Sequence, residues 1–469
     1  MTRSVEPLSD TICAPATAPG EGAVGIVRLS GPRAVELAER VFMASSGLLL
    51  GNAPSHTVHH GWIRAADGAV VDEALALLMR APRSYTTENV VELQCHGGGA
   101  AIEAVLRLLV SAGCRMAEPG EFTRRAFLNG RIDLTRAEAV LEVIQARSAA
   151  AHRIAQRQMG GALAEHLAEI ADTLRELAAH EEAAIDFPDE NLEAELPADT
   201  VLRLESARGR LAEAIRRGQA GHLLREGVRL AILGRPNVGK SSLLNRLLGH
   251  DRAIVADTPG TTRDVLEAEL AIDGVRFVLQ DTAGIRATGD RVEAEGVSRS
   301  RRAARGAEVL LLVLDASSGL TEEDLALLAE LDPARLLVAV NKSDLGSNLA
   351  GSLADFLPGR LPEEVPVVAV SALTGDGMAA LGAALVQQVC GPGAAPLEHA
   401  FLLNARQRDA LERALEGTKR ALEGIADHSP ADLLASDIRT ALDAIGEITG
   451  ETTTDDLLGL IFSRFCIGK

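Results

Sequence analysis

Apolar and polar positions follow three rhythms along the 469-residue chain. Up to about residue 130, short β-like runs mix with helical ones. GAVGIVRLSG at 22–31 predicts a strand entering a turn, and Ala34 to Val41 a helix. VVELQCHGGGA at 90–100 predicts a strand and a glycine turn, followed by a helix over Ile102 to Leu109. A turn that needs positive φ accounts for the HGGG run without any ligand. From Leu134 the period becomes that of long amphipathic helix. Leu163, Leu167, Ile170, Leu174 and Leu177 recur at spacings of four and three, a stripe that demands a partner helix. AAIDFPDEN at 183–191 interrupts this pattern, and Val201 to Ala214 resumes it. Between about 226 and 391 the rhythm changes again, to wholly apolar runs of strand length. Val228–Leu233, Val275–Gln280 and Leu336–Val340 read as buried strands, with a helix over Ser242 to Leu248. GPGAAP at 391–396 punctuates the chain, and helices resume over Leu402–Ile425 and Ala431–Ile448.

Four segments follow: 1–130, 131–225, 226–391 and 392–469. Each helical segment is marginal alone, so the pattern predicts one discontinuous helical bundle with a domain inserted into it. Pairing of its halves would carry the C-terminal tail back towards the first 130 residues. The fold class is multidomain, α/β plus all-α.

The strand at Val228–Leu233 runs into GRPNVGKSSLLN, 234–245. Gly234, Gly239, Lys240 and Ser241 fit the phosphate-cradling pattern G-x-x-x-x-G-K-[ST]. Loop N–H groups and a helix N-terminus form a concave anion site there. Lys240 would reach the β- and γ-phosphates, and the Ser241 hydroxyl would bind Mg²⁺. The motif's nucleotide contacts extend over Asn237, Val238, Gly239, Lys240, Ser241 and Ser242. Three partner motifs follow in order: DTPGTTRD at 257–264, DTAG at 281–284 and NKSD at 341–344, with SAL at 371–373. Asp281 is placed to hold Mg²⁺ through water, and Thr262 to add its hydroxyl to the metal. Asn341 and Asp344 close a base pocket. A carboxylate there accepts two hydrogen bonds from guanine N1–H and its 2-amino group, and adenine offers no match. The nucleotide is therefore GTP, with Ala256, Asp257, Thr258, Pro259, Gly260, Thr261, Thr282, Ala283, Gly284, Lys342, Ser371, Ala372 and Leu373 completing the contact set.

One expected part is missing. Ras-like switches carry a glutamine directly after DTAG that orients the attacking water, and here that position is Ile285. Either hydrolysis is slow and partner-driven, or another residue holds the water. Arg263 and Arg286 could supply the charge of an arginine finger, and read equally well as solvated loop arginines.

Composition narrows the choice of partners. The formal net charge is −19, so the chain as a whole repels nucleic acid, and any RNA must be gripped by a local basic patch or a basic partner. Eleven aromatic residues are too few for a base-stacking platform. Of only four lysines against 43 arginines, three stand at Lys240, Lys342 and Lys469, motif or terminal positions. The five cysteines are scattered with no C-x-x-C pair, which fits reduced cytoplasmic thiols and neither disulfides nor zinc. No apolar run is long enough to span a membrane, and the N-terminus lacks the pattern of a signal peptide. The ending CIGK fits a prenylation box poorly.

Read together, ATAPGEGAVGIVRLSG, PGEFTRRAFLNGRIDLTRAEA at 119–139, AAIDFPDE at 183–190, LLREGVRLAILGRPNVGKSSLLN, DTPGTTRDV, DTAGIR and EITGETTTDDLLGLIFSRFCIGK resemble the MnmE (TrmE) family of tRNA-modification GTPases over the whole length. The resemblance implies an N-terminal tetrahydrofolate-binding-like α/β domain that also forms a homodimer, and an inserted Ras-like P-loop GTPase domain. It puts a 5-formyltetrahydrofolate on Arg28, Glu92, Arg131 and Lys469, where the family often has Lys in place of Arg131. Arginine and lysine suit the folate carboxylates, and Glu92 the pterin donors. It also implies K⁺ beside the phosphates, held by Asn237, Thr261 and the carbonyls of Ala256 and Thr258, which offsets transition-state charge. Glu293 matches the family's water-orienting carboxylate, and Cys466 a cysteine linked to the modification step. Taken alone, Glu293 reads as a surface helix residue and Cys466 as a buried thiol at a helix end. Members act with an FAD-dependent partner, MnmG (GidA), in a heterotetramer. Together they add aminomethyl or carboxymethylaminomethyl groups to C5 of the wobble uridine of certain tRNAs. The alternative is a ribosome-assembly GTPase switch of the Era or Der type, which shares the GTPase motifs. Such a switch should carry a basic RNA-binding module, and these flanks are acidic or near neutral.

Overall fold

In the computed structural model, residues 9–186, 199–250, 268–280, 304–345, 365–390 and 399–469 are described. The chain divides into two compact units. One comprises Met1–Leu141, Met159–Thr200 and Glu416–Lys469, the other Glu142–Gln158 and Val201–Leu415.

The first unit is built on a seven-stranded sheet: β1 (Ile12–Pro15), β2 (Gly22–Ser30), β3 (Phe42–Ala44), β4 (Thr57–Arg64), β5 (Val70–Met79), β6 (Val90–Gly97) and β7 (Arg115–Met116), in spatial order β3-β4-β5-β6-β2-β1-β7. All neighbours are antiparallel except β1 and β7. Alternation along β5 shows why the sheet has two characters. Ala74, Ala76 and Leu78 are buried, while Glu73 and Leu75, which alternate with them, face out. The inward set packs with helices α1 (Ala34–Val41) and α2 (Gly99–Ala112) in one core. By register the opposite face carries Arg28 paired with Glu92, and Leu77 beside Glu92. Val24, Met43, Val58 and Leu75 lie on that same face, exposed by 54, 43, 54 and 39%.

The HGGG segment corrects the expectation above. None of Gly97, Gly98 and Gly99 has a positive φ, and helix α2 begins directly after Gly98. What excludes a side chain is proximity: a Cβ on Gly97 would lie 2.2 Å from the Gly22 carbonyl oxygen of the neighbouring strand.

Helices fill the remainder of this unit. The single long helix expected from Leu134 is three: α4 (Leu134–Gln145), α5 (Ala149–Gly160) and α6 (Ala162–Asp186), with Gly161 at φ +113° ending α5. The five-residue stripe of α6 is buried throughout, each residue 2% exposed or less. Its partner is α12 (Ala431–Thr449), reached after α11 (Ala405–Ala426). Helix α13 (Asp455–Phe462) then packs Leu458, Ile461 and Phe462 with Leu134 and Ala137 of α4. The tail beyond it returns to the N-terminal residues as expected. The Phe122 amide in α3 (Glu121–Leu128) donates to the Lys469 carbonyl at 3.2 Å. Within α3, fully buried Arg125 is ringed by Asp10, Glu88 and Glu121.

The second unit has a six-stranded sheet: β8 (Val228–Leu233), β9 (Ala268–Ile272), β10 (Val275–Leu279), β11 (Val309–Asp315), β12 (Leu336–Asn341) and β13 (Val367–Ala369), in order β13-β12-β11-β8-β10-β9. Only β9 is antiparallel. Every residue of β11 and β12 is buried, as central parallel strands covered on both faces require. Helices α8 (Lys240–His250), α9 (Glu322–Glu330) and α10 (Met378–Cys390) belong to this unit, as does α7 (Thr200–Glu226) apart from its first residue. Its main core also takes in Ala150, Ile154 and Ala155 of α5, Leu224 of α7, and Ala400 and Leu402.

Candidate functional site

Strand β8 delivers the chain into the 234–241 loop, and α8 starts at Lys240, two residues earlier than the hydrophobic pattern indicated. The loop's shape depends on residues without side-chain bulk. Gly234 and Gly239 have φ +137° and +96°, and a Cβ on them would lie 2.4 Å from the Val313 carbonyl and 2.2 Å from Asn341 Nδ2. Asn237 occupies the left-handed region at φ 63°, which asparagine tolerates better than most residues. Lys240 Nζ donates to the carbonyls of Gly234 at 2.7 Å and Arg235 at 2.6 Å, folding the loop over its own ammonium. Burial lowers the pKa of that ammonium. Val238 is buried, while Asn237, Ser241 and Ser242 face solvent.

Asn341 ends β12, across from Asp315 at the end of β11. It is 2% exposed and acts as a bolt: Nδ2 donates to the Val238 carbonyl at 2.9 Å, and Oδ1 accepts from the Ala372 amide at 3.0 Å. The phosphate-loop residues are thereby tied to the SAL loop. Exposed Asp344 accepts from buried Ser371 Oγ at 2.6 Å, and Leu373 is 79% exposed. Lys342, at φ 64°, places Nζ 2.6 Å from Asp315 Oδ2. Burial would raise the pKa of Asp315, but hydrogen bonds from Lys342 and Ser317 outweigh it and hold the carboxyl below its usual range. Asn237 to Ser242, Asn341, Lys342, Asp344, Ser371, Ala372 and Leu373 thus cluster at the carboxyl ends of the parallel strands, where open α/β sheets bind ligands. Ala256 to Thr262, Asp281 to Gly284 and Glu293 lie outside the described residues, as do Arg263, Ile285 and Arg286.

Three residues in this cluster were not found by sequence reasoning. Asp315 is one; its signal was an acid ending a wholly apolar strand. Arg235 and Asp324 are the others. Arg235 Nε donates to Asp324 Oδ1 at 2.9 Å and a terminal nitrogen to Ser318 Oγ at 3.1 Å. Asp324 is 1% exposed and completes a capping box with Thr321 at the start of α9. The T-x-x-D spacing in SGLTEED announced the cap, but nothing local announced its arginine.

In the first unit, Arg28 and Glu92 face each other across β2 and β6, Nε to Oε1 2.8 Å. An Arg28 terminal nitrogen also reaches the Gly468 carbonyl at 3.5 Å. Tyr85 stands between two cations: the Arg28 guanidinium is 5.9 Å from its ring centre and that of Arg131 5.0 Å. Arg131 also donates to the Tyr85 carbonyl at 2.7 Å. Burial raises the Tyr85 pKa, partly offset by its hydrogen bond with Thr123 and by the two arginines. An open cleft of about 540 Å³ is lined by Tyr85, Asn129, Gly130 and Arg131 together with Arg83 and Ser84. Arg28 and Glu92 are not among its lining residues, so Tyr85 and Arg131 join the cleft to the Arg28–Glu92 pair. Cys466, beyond α13, is a free and exposed thiol, against the buried thiol that its place near a helix end had suggested.

Comparison with known proteins accounts for both units. Residues 11–131 match the family described as GTP-binding protein TrmE N-terminus, and residues 134–466 the MnmE helical domain. A tRNA modification GTPase MnmE from Symbiobacterium thermophilum is 46% identical over 98% of this chain and 99% of its own length. Its namesake from Geobacillus thermodenitrificans is 43% identical over the same shares. Among solved structures, the G domain of the T. maritima FeoB iron transporter is 27% identical over 34% of this chain and 98% of its own, with a TM-score of 0.24. On its sequence, from the first strand to the terminal CIGK, this chain belongs to the MnmE family of tRNA modification GTPases.

Proposed function

We propose that this GTPase is activated by K⁺ and acts with an FAD-dependent MnmG partner. Together they install aminomethyl or carboxymethylaminomethyl groups at C5 of the wobble uridine of certain tRNAs. The proposal places it in the cytoplasm as a homodimer, with a folate-binding domain over 1–130, helical segments 131–225 and 392–469, and a GTPase domain over 226–391. The observation that carries the folate reading is the convergence of Arg28, Glu92, Tyr85, Arg131 and the Gly468 carbonyl in one unit. Two guanidiniums around an aromatic ring fit an anionic, ring-bearing ligand, and a 540 Å³ cleft is within the range of cofactor sites. In this reading Arg28, Arg131 and Lys469 bind carboxylates and Glu92 accepts from the pterin. Bound there, a tetrahydrofolate supplies the one-carbon unit. Cys466, exposed beside this tail, is assigned to the modification step. The apolar outer sheet face with Val24, Val58 and Leu75 is of the kind that a second copy would cover.

For GTP, Lys240 grips the β- and γ-phosphates. Ser241, Thr262 and Asp281 hold Mg²⁺, the last through water. Asn341 and Asp344 select guanine, and Lys342 belongs to the same contact set. Asn237, Thr261 and the Ala256 and Thr258 carbonyls are assigned to K⁺, which supplies positive charge beside the phosphates. Glu293 orients the attacking water in place of the glutamine absent at Ile285.

Mass spectrometry of tRNA nucleosides from depleted cells tests the proposal. The expected result is loss of aminomethyl-type wobble uridines, restored by the intact gene but not by Lys240→Ala. In the purified protein, replacing K⁺ by Na⁺ should slow GTP hydrolysis at least tenfold, about 1.4 kcal/mol of barrier. An unchanged nucleoside profile would move the role to ribosome assembly, and indifference to the cation would remove K⁺.

A further inference from the structure

The charge of −19 is not spread evenly over the helices. Helices α6 and α12, in the first unit, carry eleven carboxylates against two arginines. In the second unit, α5, α7 and the first half of α11 (residues 405–415) carry eleven arginines against five carboxylates. A solvated helix face in so acidic a chain would not accumulate one sign without a function for it. Spacing sharpens the point. Arg203, Arg210 and Arg217 recur every seven residues, each directly before a buried position of α7: Leu204, Leu211 and Gly218. The three α7 carboxylates pair with neighbours: Glu205 with Arg208, Glu213 with Arg216, and Glu226 with Arg225.

Helices α5 and α7 both meet the 399–402 segment that leads into α11. Gln158, closing α5 on its buried side, exchanges hydrogen bonds with both backbone groups of Leu402. Arg217 donates to the His399 carbonyl and lies 4.3 Å over the Phe401 ring. Burial lowers the Arg217 pKa; Glu213 raises it, and the like charge of Arg157 lowers it further. On these helices Arg153, Arg216 and Arg408 are exposed. Guanidiniums match phosphate oxygens bidentately, and rows of them along helices suit a polyanion better than a single small ion.

We propose that the arginine-rich junction of α5, α7 and the start of α11 is the surface on which the tRNA phosphate backbone docks. This rests on the proposed function, which supplies tRNA as the macromolecular substrate. With no tryptophan or tyrosine in these helices, the contact reads backbone charge and shape and leaves base recognition to other surfaces.

The test is binding of unmodified tRNA to the full chain, titrated across salt concentration. In the triple variant Arg153→Glu, Arg216→Glu, Arg408→Glu, affinity should fall at least tenfold. The slope of log affinity against log salt should flatten by about 2 to 3, since each neutralised phosphate contributes roughly 0.7 to 0.9. GTP hydrolysis should persist, because none of the three lies in the nucleotide cluster, and it reports that the variant folds. If it does not persist, the milder glutamine triple replaces it, with an expected loss of several-fold. The control Arg175→Glu, Arg439→Glu on α6 and α12 should bind as the parent does. Equal affinity of triple and parent, or an equal loss in the control, overturns the surface while leaving the function standing. A parent chain that binds no tRNA at any salt, with unchanged nucleosides in depleted cells, overturns the function itself.

Discussion

Gly239 shows how narrow the tolerance of the nucleotide cluster is. Both its φ and the 2.2 Å that would separate a Cβ from Asn341 Nδ2 exclude every other residue. The neighbouring charges do subtler work. Arg235 is tied at both ends, its side chain to buried Asp324 and its carbonyl to Lys240 Nζ, so it is a positioning residue for the phosphate loop. Arg235→Ala leaves Asp324 buried without its cation, an expected loss of about 3–5 kcal/mol locally. The measurement is GTP hydrolysis with KM and kcat separated. Misplacing Lys240 should raise KM at least tenfold, and Arg235→Lys should recover part of that loss, its single ammonium reaching Asp324 without the second bond to Ser318. Equal KM in all three proteins would refute the role. The motif spacing made Lys240, Ser241, Asn341 and Asp344 legible in the sequence. Asp315, Arg235 and Asp324 were not, since each acts through a partner at least 27 positions away.

Helix α6 is the element in which pattern and packing agree most closely. Its stripe of Leu163, Leu167, Ile170, Leu174 and Leu177 asked for a partner, and α12, more than 240 residues on, provides it. Leu167 is fully buried, so Leu167→Ala should cost about 2–5 kcal/mol and Leu167→Met less than about 1.5. Chemical unfolding followed by helical circular dichroism checks this, and an alanine variant as stable as the parent would place the stripe outside the core. Element boundaries were less legible. The period did not reveal that α4, α5 and α6 are separate: α5 buries Ala150, Ile154 and Ala155 in the second unit's core while the α6 stripe packs on α12, and a helical period does not name its partner. Nor did it reveal that Gly97 is required by the nearness of β2 and not by a turn.

At the scale of the molecule, the first unit is pinned by a buried charge network. Arg125 is fully buried, and Glu121 is 6% exposed. Burial alone would raise the pKa of Asp10 and Glu121, but hydrogen bonds and charges from Arg115 and Arg125 outweigh it and leave both lowered. A lowered folded-state pKa contributes stability above the unfolded value, near pH 4, and that stability is lost as pH falls through the folded value. The unfolding midpoint of this unit, followed through its one tryptophan, Trp62, should therefore drop as pH falls below about 4. Arg125→Met should lower the midpoint at pH 7 and flatten this dependence; parallel curves would refute the account. Among the described residues no helix is long and apolar enough to cross a membrane. The sequence by itself determined the family, several of the strands and helices, the nucleotide motifs and the apolar stripe, because each is written in spacing along one stretch of chain. Only the tertiary structure decided that α5 and α7 meet the segment that leads into α11, and that Asp324 answers Arg235. It alone set Arg28, Tyr85, Arg131 and the tail around one point. Those are meetings of residues far apart in sequence, and such meetings are set by how sheets and helices pack, which no local period encodes.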